Sequence, residues 1–254
     1  MTLVPVLLYH SVNDRPGRLE RPYAVSQATF AAHAAAVGAS GRHPLTVTEL
    51  ADALRALRPL PARPVAISFD DGYADTLEAT EVLLKLGLRA TIYVTAGEVG
   101  ERDRLTSSQL AELARTPGVE IGAHSVSHPR LDELGESQLV EEVTASRRRL
   151  EEVTGREVHS FAYPYGAYDE RVRTAVVAAG YRSAAGVKDA LSHDRDDPFA
   201  IARWTVHRGT SSARIAAVLD GAGVQRAWSH ERLRTRASRV ARRSRRRFTR
   251  VWAR

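Results

Sequence analysis

The 254-residue chain contains no cysteine. Disulfide bonds are therefore excluded, and any metal ion must be held by His, Asp or Glu. The absence leaves the redox compartment open, because a cysteine-free chain suits either. Also missing is any apolar stretch close to the roughly 18 residues of a membrane-spanning helix. The opening segment, Met1-Thr2-Leu3-Val4-Pro5-Val6-Leu7-Leu8-Tyr9-His10, has neither a basic start nor a small-residue cleavage site. It reads as a first strand rather than an export signal. The expectation is a soluble chain, cytoplasmic or peripheral on the inner membrane face. There is no internal repeat.

Acidic residues are absent from one region in particular. Arg232 to Arg254 holds 11 of the 37 basic residues and none of the 30 acidic ones, so the other 26 basic residues fall 4 short of the acids. The net charge of +7 belongs to this tail and not to the body. Nothing in the body points to a polyanion, and no specific nucleic-acid partner is expected. The composition divides the chain into a catalytic body, residues 1–228, and an arginine-rich tail, residues 229–254. Leu233, Val240, Phe248, Val251 and Trp252 among the arginines of 232–254 suggest a loosely amphipathic basic helix. Such a helix would suit an anionic membrane surface or an anionic polymer; a solvated extension is the plainer alternative. Oligomeric state has no signal in the sequence.

Along the body, short apolar and β-branched runs alternate with longer segments of helical period. Strands are expected at Val4-Tyr9, Val65-Phe69, Ala90-Val94, Val119-Ala123, His159-Ala162, Arg182-Ala185 and Ile201-Val206. Helices are expected at Thr29-Ala36, Thr48-Leu57, Ala74-Leu86, Ser108-Arg115, Ser137-Val153, Glu170-Ala179 and Ser212-Leu219. Thr46-Val47-Thr48-Glu49 and Thr106-Ser107-Ser108-Gln109 read as capping boxes, and Gly87, Gly118, Gly155 and Gly180 as helix stops. Seven strand-then-helix units predict an α/β barrel with parallel strands, whose chemistry belongs at the C-terminal strand ends.

Polar clusters sit at those ends. Ser68-Phe69-Asp70-Asp71-Gly72 places two carboxylates after an apolar run, and His124-Ser125-Val126-Ser127-His128 places two imidazoles four apart. Alone, Asp-Asp-Gly reads as a turn and the histidines as polar loop residues. Together, one carboxylate and two imidazoles make a three-ligand set with an open position, the arrangement of a hydrolytic metal centre. A leftover carboxylate beside it suits a general base. His124 and His128 share a face if the segment forms one helical turn, which Pro129 must end. Ser125 and Ser127 suit hydrogen bonds that orient the ligands. Phe161-Ala162-Tyr163-Pro164-Tyr165-Gly166 follows the fifth strand and offers aromatic walls for a sugar face, or a turn packed on the rim. His10 closes the first strand, as a core residue or a catalytic acid.

These motifs, in this order and spacing, resemble the polysaccharide deacetylases of carbohydrate esterase family four, over roughly Val4 to Leu219. The resemblance implies an irregular (β/α)7 barrel. It implies a metal triad of Asp71, His124 and His128 holding Zn²⁺, or another divalent ion such as Co²⁺ or Ni²⁺. It makes Asp70 the general base and Tyr165 the residue whose backbone N–H stabilises the oxyanion. Two departures stand out. The family's arginine before the third motif is Ala162 here, with Tyr163 in place of the first proline. The C-terminal Leu-x-x-His motif is absent after Ile201, and Leu7-Leu8-Tyr9-His10 fits it at the N-terminus instead. Both features resemble the branch acting on poly-β-1,6-N-acetylglucosamine, and they make His10 the general-acid candidate. Arg203 is a candidate for the missing cation and, with Tyr163, Pro164 and Tyr165, for substrate binding. The activity implied is metal-dependent hydrolysis of N-acetyl groups on an amino-sugar glycan. The alternatives are hydrolysis of another C–N bond, as in a cyclic amide, and a catalytically silent glycan-binding module.

Overall fold

A computed structural model describes residues 1–18 and 20–228. The arginine-rich segment 229–254, with the amphipathic helix and the membrane or polymer contact expected of it, lies outside the described residues. The first half of the described chain runs β1 (Leu3–Val4), β2 (Val6–Tyr9), α1 (Gln27–Ala39), β3 (His43–Leu45), α2 (Val47–Leu54), β4 (Pro64–Phe69), α3 (Thr76–Lys85), β5 (Ala90–Val94), α4 (Ser107–Leu113) and β6 (Val119–Ala123). It continues with α5 (Glu136–Thr154), β7 (Ser160–Ala162), α6 (Glu170–Ala178), β8 (Ser183–Val187), β9 (Ala190–His193), β10 (Ile201–Thr205), α7 (Ser212–Leu219) and β11 (Gln225–Arg226).

Seven strands run parallel in the order β2, β10, β8, β7, β6, β5, β4, and the ring closes where β2 pairs with β4. This is the (β/α)7 barrel. All seven expected strands and helices are present, with ends within about three residues of the expected ones. Both capping boxes form: the Thr46 and Thr106 side chains accept from the N–H groups of Glu49 and Gln109. Gly87, Gly118, Gly155 and Gly180 all have positive φ, as helix stops require.

Three elements were not expected. β3 was hidden by Pro44 at its centre. It pairs with β4 from Pro64 to Ala66, and β5 takes over the same edge at Ser68. That wedge, with α2, closes the end of the barrel where the strands begin. Leu45, Val47, Leu50 and Ala51 pack there against Val6, Ala66 and Ile201. β9 and β11 join β1 in a small second sheet, so the first expected strand is split at Pro5, which has no N–H for a ladder.

The period of two along each strand sorts the barrel into two sides. Leu7 and Tyr9, Ile67 and Phe69, and Ile92 and Val94 join the core under the helices. Each such fully buried side chain contributes about 1.5–3 kcal/mol. The alternate positions point into the barrel: Leu8 and His10, Ser68 and Asp70, Gly122 and His124, Arg203 and Thr205. Leu8 lies level with Ser68 on one neighbour and Thr205 on the other. The same parity that builds the outer core therefore delivers His10, Asp70 and His124 to one mouth.

Candidate metal centre

Asp71, His124 and His128 converge at the C-terminal ends of β4 and β6. Asp71 Oδ1 stands 3.6 Å from His124 Nε2 and 3.4 Å from His128 Nε2, and the two Nε2 atoms are 3.2 Å apart. Three ligand atoms each about 2.0–2.1 Å from one tetrahedral ion lie about 3.3 Å from one another. The spacing fits a single divalent cation.

The chemistry of the donors fits as well. His124 Nδ1–H donates to the Ala162 carbonyl at 2.8 Å, so its Nε2 presents a lone pair to the site. Burial holds the His124 pKa down at about 4, with Asp70 opposing and His128 assisting, so this imidazole is neutral at physiological pH. Asp71 Oδ1 is buried and has no hydrogen-bond partner. A buried acceptor without a donor is costly, and a cation at this point removes the cost.

The 124–128 segment is an irregular loop, not the expected helical turn. Ser125 and His128 both adopt left-handed backbone, with φ of 63° and 55°. Those two reversals, rather than an i to i+4 register, bring the imidazoles together. The Ser125 hydroxyl accepts from the His128 N–H at 3.0 Å, and Ser127 bonds to Glu142. Asp71 (φ 73°) and Tyr165 (φ 58°) are left-handed too. Half of the non-glycine residues with positive φ among those described therefore lie at this site, where such strain is held by surrounding contacts.

Asp70 turns the other way. Both of its oxygens accept from the Arg203 guanidinium, at 2.6 and 2.8 Å, and Oδ2 is 3.7 Å from His124 Nε2. It is thus adjacent to the donor set without belonging to it. Burial works to raise the Asp70 pKa, but the charges of Arg203 and His124 prevail and hold it at about 2.

Arg203 is 0% exposed, fixed also by Ser68 Oγ and the Gly186 carbonyl. The expectation that it contacts substrate is corrected: its donors are spent on Asp70 and the barrel wall. Tyr163 and Pro164 are corrected on the same ground. Tyr163 is 0% exposed, its ring stacks on Tyr168 and its hydroxyl donates to the Phe199 carbonyl. Pro164 is buried in the single helical turn at 164–166. Only Tyr165 of that motif reaches the cleft; it is 56% exposed, with its ring against His128 and under the Arg130 guanidinium.

The donors, Asp70, His10 and Tyr165 line one cleft of about 560 Å³. His10 Nδ1 is buried without a partner, and burial lowers its pKa against the pull of Asp70 and Asp71. Its ring rests on Tyr23. Tyr23, Tyr73, Arg104, Arg130 and His207 also line the walls and escaped the sequence reading. Tyr73 alone had a local signal, following Asp-Asp-Gly directly; the others arrive on loops with no motif.

A family described as polysaccharide deacetylase matches residues 58–184, half of the chain. The chain belongs to the polysaccharide deacetylase family. YxkH of Bacillus subtilis (strain 168) is 28% identical over 218 residues, 85% of this chain and 76% of that protein. BC0361, a polysaccharide deacetylase from Bacillus cereus, superposes with a TM-score of 0.75 at 26% identity, over 86% of this chain and 69% of its own. IcaB from Ammonifex degensii shares the fold, with a TM-score of 0.73 at 22% identity, over 86% of this chain and 97% of its own. His10 and Arg203 both lie outside the segment that carries the family match.

Proposed function

We propose that this chain hydrolyses N-acetyl groups on an N-acetylated amino-sugar glycan, releasing acetate and leaving a free amine. One observation carries the reading: three donor atoms 3.2–3.6 Å apart, with an ionised carboxylate beside them, at the floor of an open cleft. Asp71, His124 and His128 would hold Zn²⁺, Co²⁺ or Ni²⁺. Such an ion supplies Lewis acidity and lowers the pKa of water to about 7.

The chain's own groups supply the rest. Asp70 is the general base, accepting a proton from the water that attacks the acetamide carbon. Arg203 keeps it ionised and aims it. The Tyr165 N–H donates to the oxygen that gains charge as the carbonyl carbon becomes tetrahedral. His10 gives a proton to the departing nitrogen as the C–N bond breaks. Tyr23, Tyr73 and Tyr165 offer ring faces to a sugar.

The test is acetate release from N-acetylglucosamine oligomers, with and without chelator, alongside cyclic amides. Chelator-sensitive acetate release supports the reading. Turnover of cyclic amides alone would move the substrate, and metal binding with no turnover on any glycan would reduce the chain to a binding module.

A further inference from the structure

The loop that carries His128 is held by a side chain on a different element. The Glu142 carboxylate, on α5, accepts from the N–H groups of Val126 and Ser127 at 2.8 and 2.9 Å, and from the Ser127 hydroxyl at 2.5 Å. On the opposite face, the N–H groups of Ala96 and Gly97 donate to the Ser125 and Val126 carbonyls at 3.0 and 2.8 Å. A Cβ at Gly97 would lie 2.5 Å from the Val126 oxygen, so only glycine allows this approach. The loop's backbone is thus gripped through its donors from α5 and through its acceptors from the turn after β5.

We infer that Glu142 is a positioning residue for His128, acting through the loop backbone. The grip is needed because Ser125 and His128 both occupy left-handed backbone that a free loop would abandon. Hydrogen bonds to a carboxylate are stronger than neutral ones, and three converge on this one. The two histidines are held by different means. His124 has its own anchor, through Nδ1 to the Ala162 carbonyl and through burial. His128 is partly exposed, and its backbone N–H is tied only within the loop, to Ser125. Releasing Glu142 therefore frees His128 while His124 and Asp71 stay in place. Groups that orient metal ligands in this way are commonly worth 10–100-fold in metal affinity.

The inference rests on Asp71, His124 and His128 being metal ligands, and the test separates the two. Co²⁺ is titrated into chelator-treated protein, following affinity by calorimetry and coordination by the visible spectrum. Thermal unfolding of the metal-free proteins is recorded alongside. Glu142→Ala should weaken Co²⁺ binding by 10–100-fold and alter the spectrum. Glu142→Gln, whose amide oxygen accepts the same two N–H groups, should stay within about threefold of wild type. Gly97→Ala presses the loop from its other face and should lose affinity as well, which keeps the test open should Glu142→Ala not fold. His128→Ala sets the floor. Wild-type affinity and spectrum in Glu142→Ala, with His128→Ala defective, overturn the inference alone. No Co²⁺ binding by wild type overturns the metal reading and the inference with it.

Discussion

The Arg203 guanidinium meets both oxygens of the Asp70 carboxylate inside the barrel, Nη1 to Oδ1 at 2.6 Å and Nη2 to Oδ2 at 2.8 Å. Arg203 is fully buried, and Asp70 is buried except where it meets the cleft. Removing one partner of such a pair strands the other as a buried charge, at about 3–5 kcal/mol. Arg203→Met should therefore destabilise the metal-free protein by that amount in urea unfolding. Asp70→Asn/Arg203→Met, which strands no charge, should recover part of the loss. Equal destabilisation in the single and double variants would show that Arg203 acts by filling space.

Asp70 is next to the donor set yet bonds Arg203 through both oxygens, so the proposed role as base can be tested apart from metal binding. Asp70→Asn should lower kcat by about 10²–10⁴ while Zn²⁺ affinity stays within a few-fold of wild type. Asp71→Asn should lose Zn²⁺ affinity and activity together. Near-normal turnover in Asp70→Asn would remove it as the base.

How much of this was legible beforehand depends on the range of the interaction. Strand parity is local, so Val65–Phe69 leading into Asp70-Asp71 could be placed at a barrel mouth from sequence alone. The gathering of Asp71, His124 and His128 followed from motif order. The Asp70–Arg203 pair spans 133 residues, and a single arginine in an apolar strand carries no sign of its partner by itself; only the resemblance, with its missing cation, made Arg203 a candidate for that place. Reading it as a substrate contact erred because exposure is decided by closure of the whole barrel. The readings of Tyr163 and Pro164 as substrate contacts erred for a smaller reason. Positive φ at Tyr165 turns one ring outward while the other stays beneath, and no pattern of residue types two apart reports that.

His10 touches the cleft from outside the family-matched segment, and its buried Nδ1 has no partner among the described residues. If it protonates the leaving amine, His10→Ala should reduce kcat by about 10²–10⁴ without altering Zn²⁺ affinity. Amide substrates should suffer more than activated acetate esters, whose leaving groups need no proton. Equal losses on both kinds of substrate would argue for a packing role against Tyr23.

Burial lowers His124 from 6.5 to about 4. In metal-free protein the unfolded chain thus carries a proton here that the folded chain refuses, over the window between those two values. Stability should rise with pH through that window and fall as pH is lowered through it. Asp70 adds its own loss only below 3.8, toward its folded value of about 2. Urea midpoints of chelator-treated wild type and His124→Gln, taken from pH 4 to 7, give the check. The slope should be shallower in the variant, since His10 and His33 remain in both. Parallel slopes would mean that His124 titrates normally.

Gly166 has φ 62°, and a Cβ there would stand 2.9 Å from Val187 N and 3.1 Å from Val187 O. Both are backbone atoms at the end of β8, which the barrel ladder holds in place. Gly166→Ala must therefore shift the 164–166 turn, and Tyr165 with it, at more than about 1 kcal/mol of stability. The proposed metal donors come from the loops after β4 and β6 and should not follow. The expected signature is a fall in kcat of tenfold or more, with Zn²⁺ affinity unchanged and KM rising less than kcat falls. That split follows if the Tyr165 N–H bonds an oxyanion that exists only near the transition state. Full activity in Gly166→Ala would remove Tyr165 from the chemistry, and a parallel loss of Zn²⁺ affinity would tie the turn to His128 through the ring contact instead.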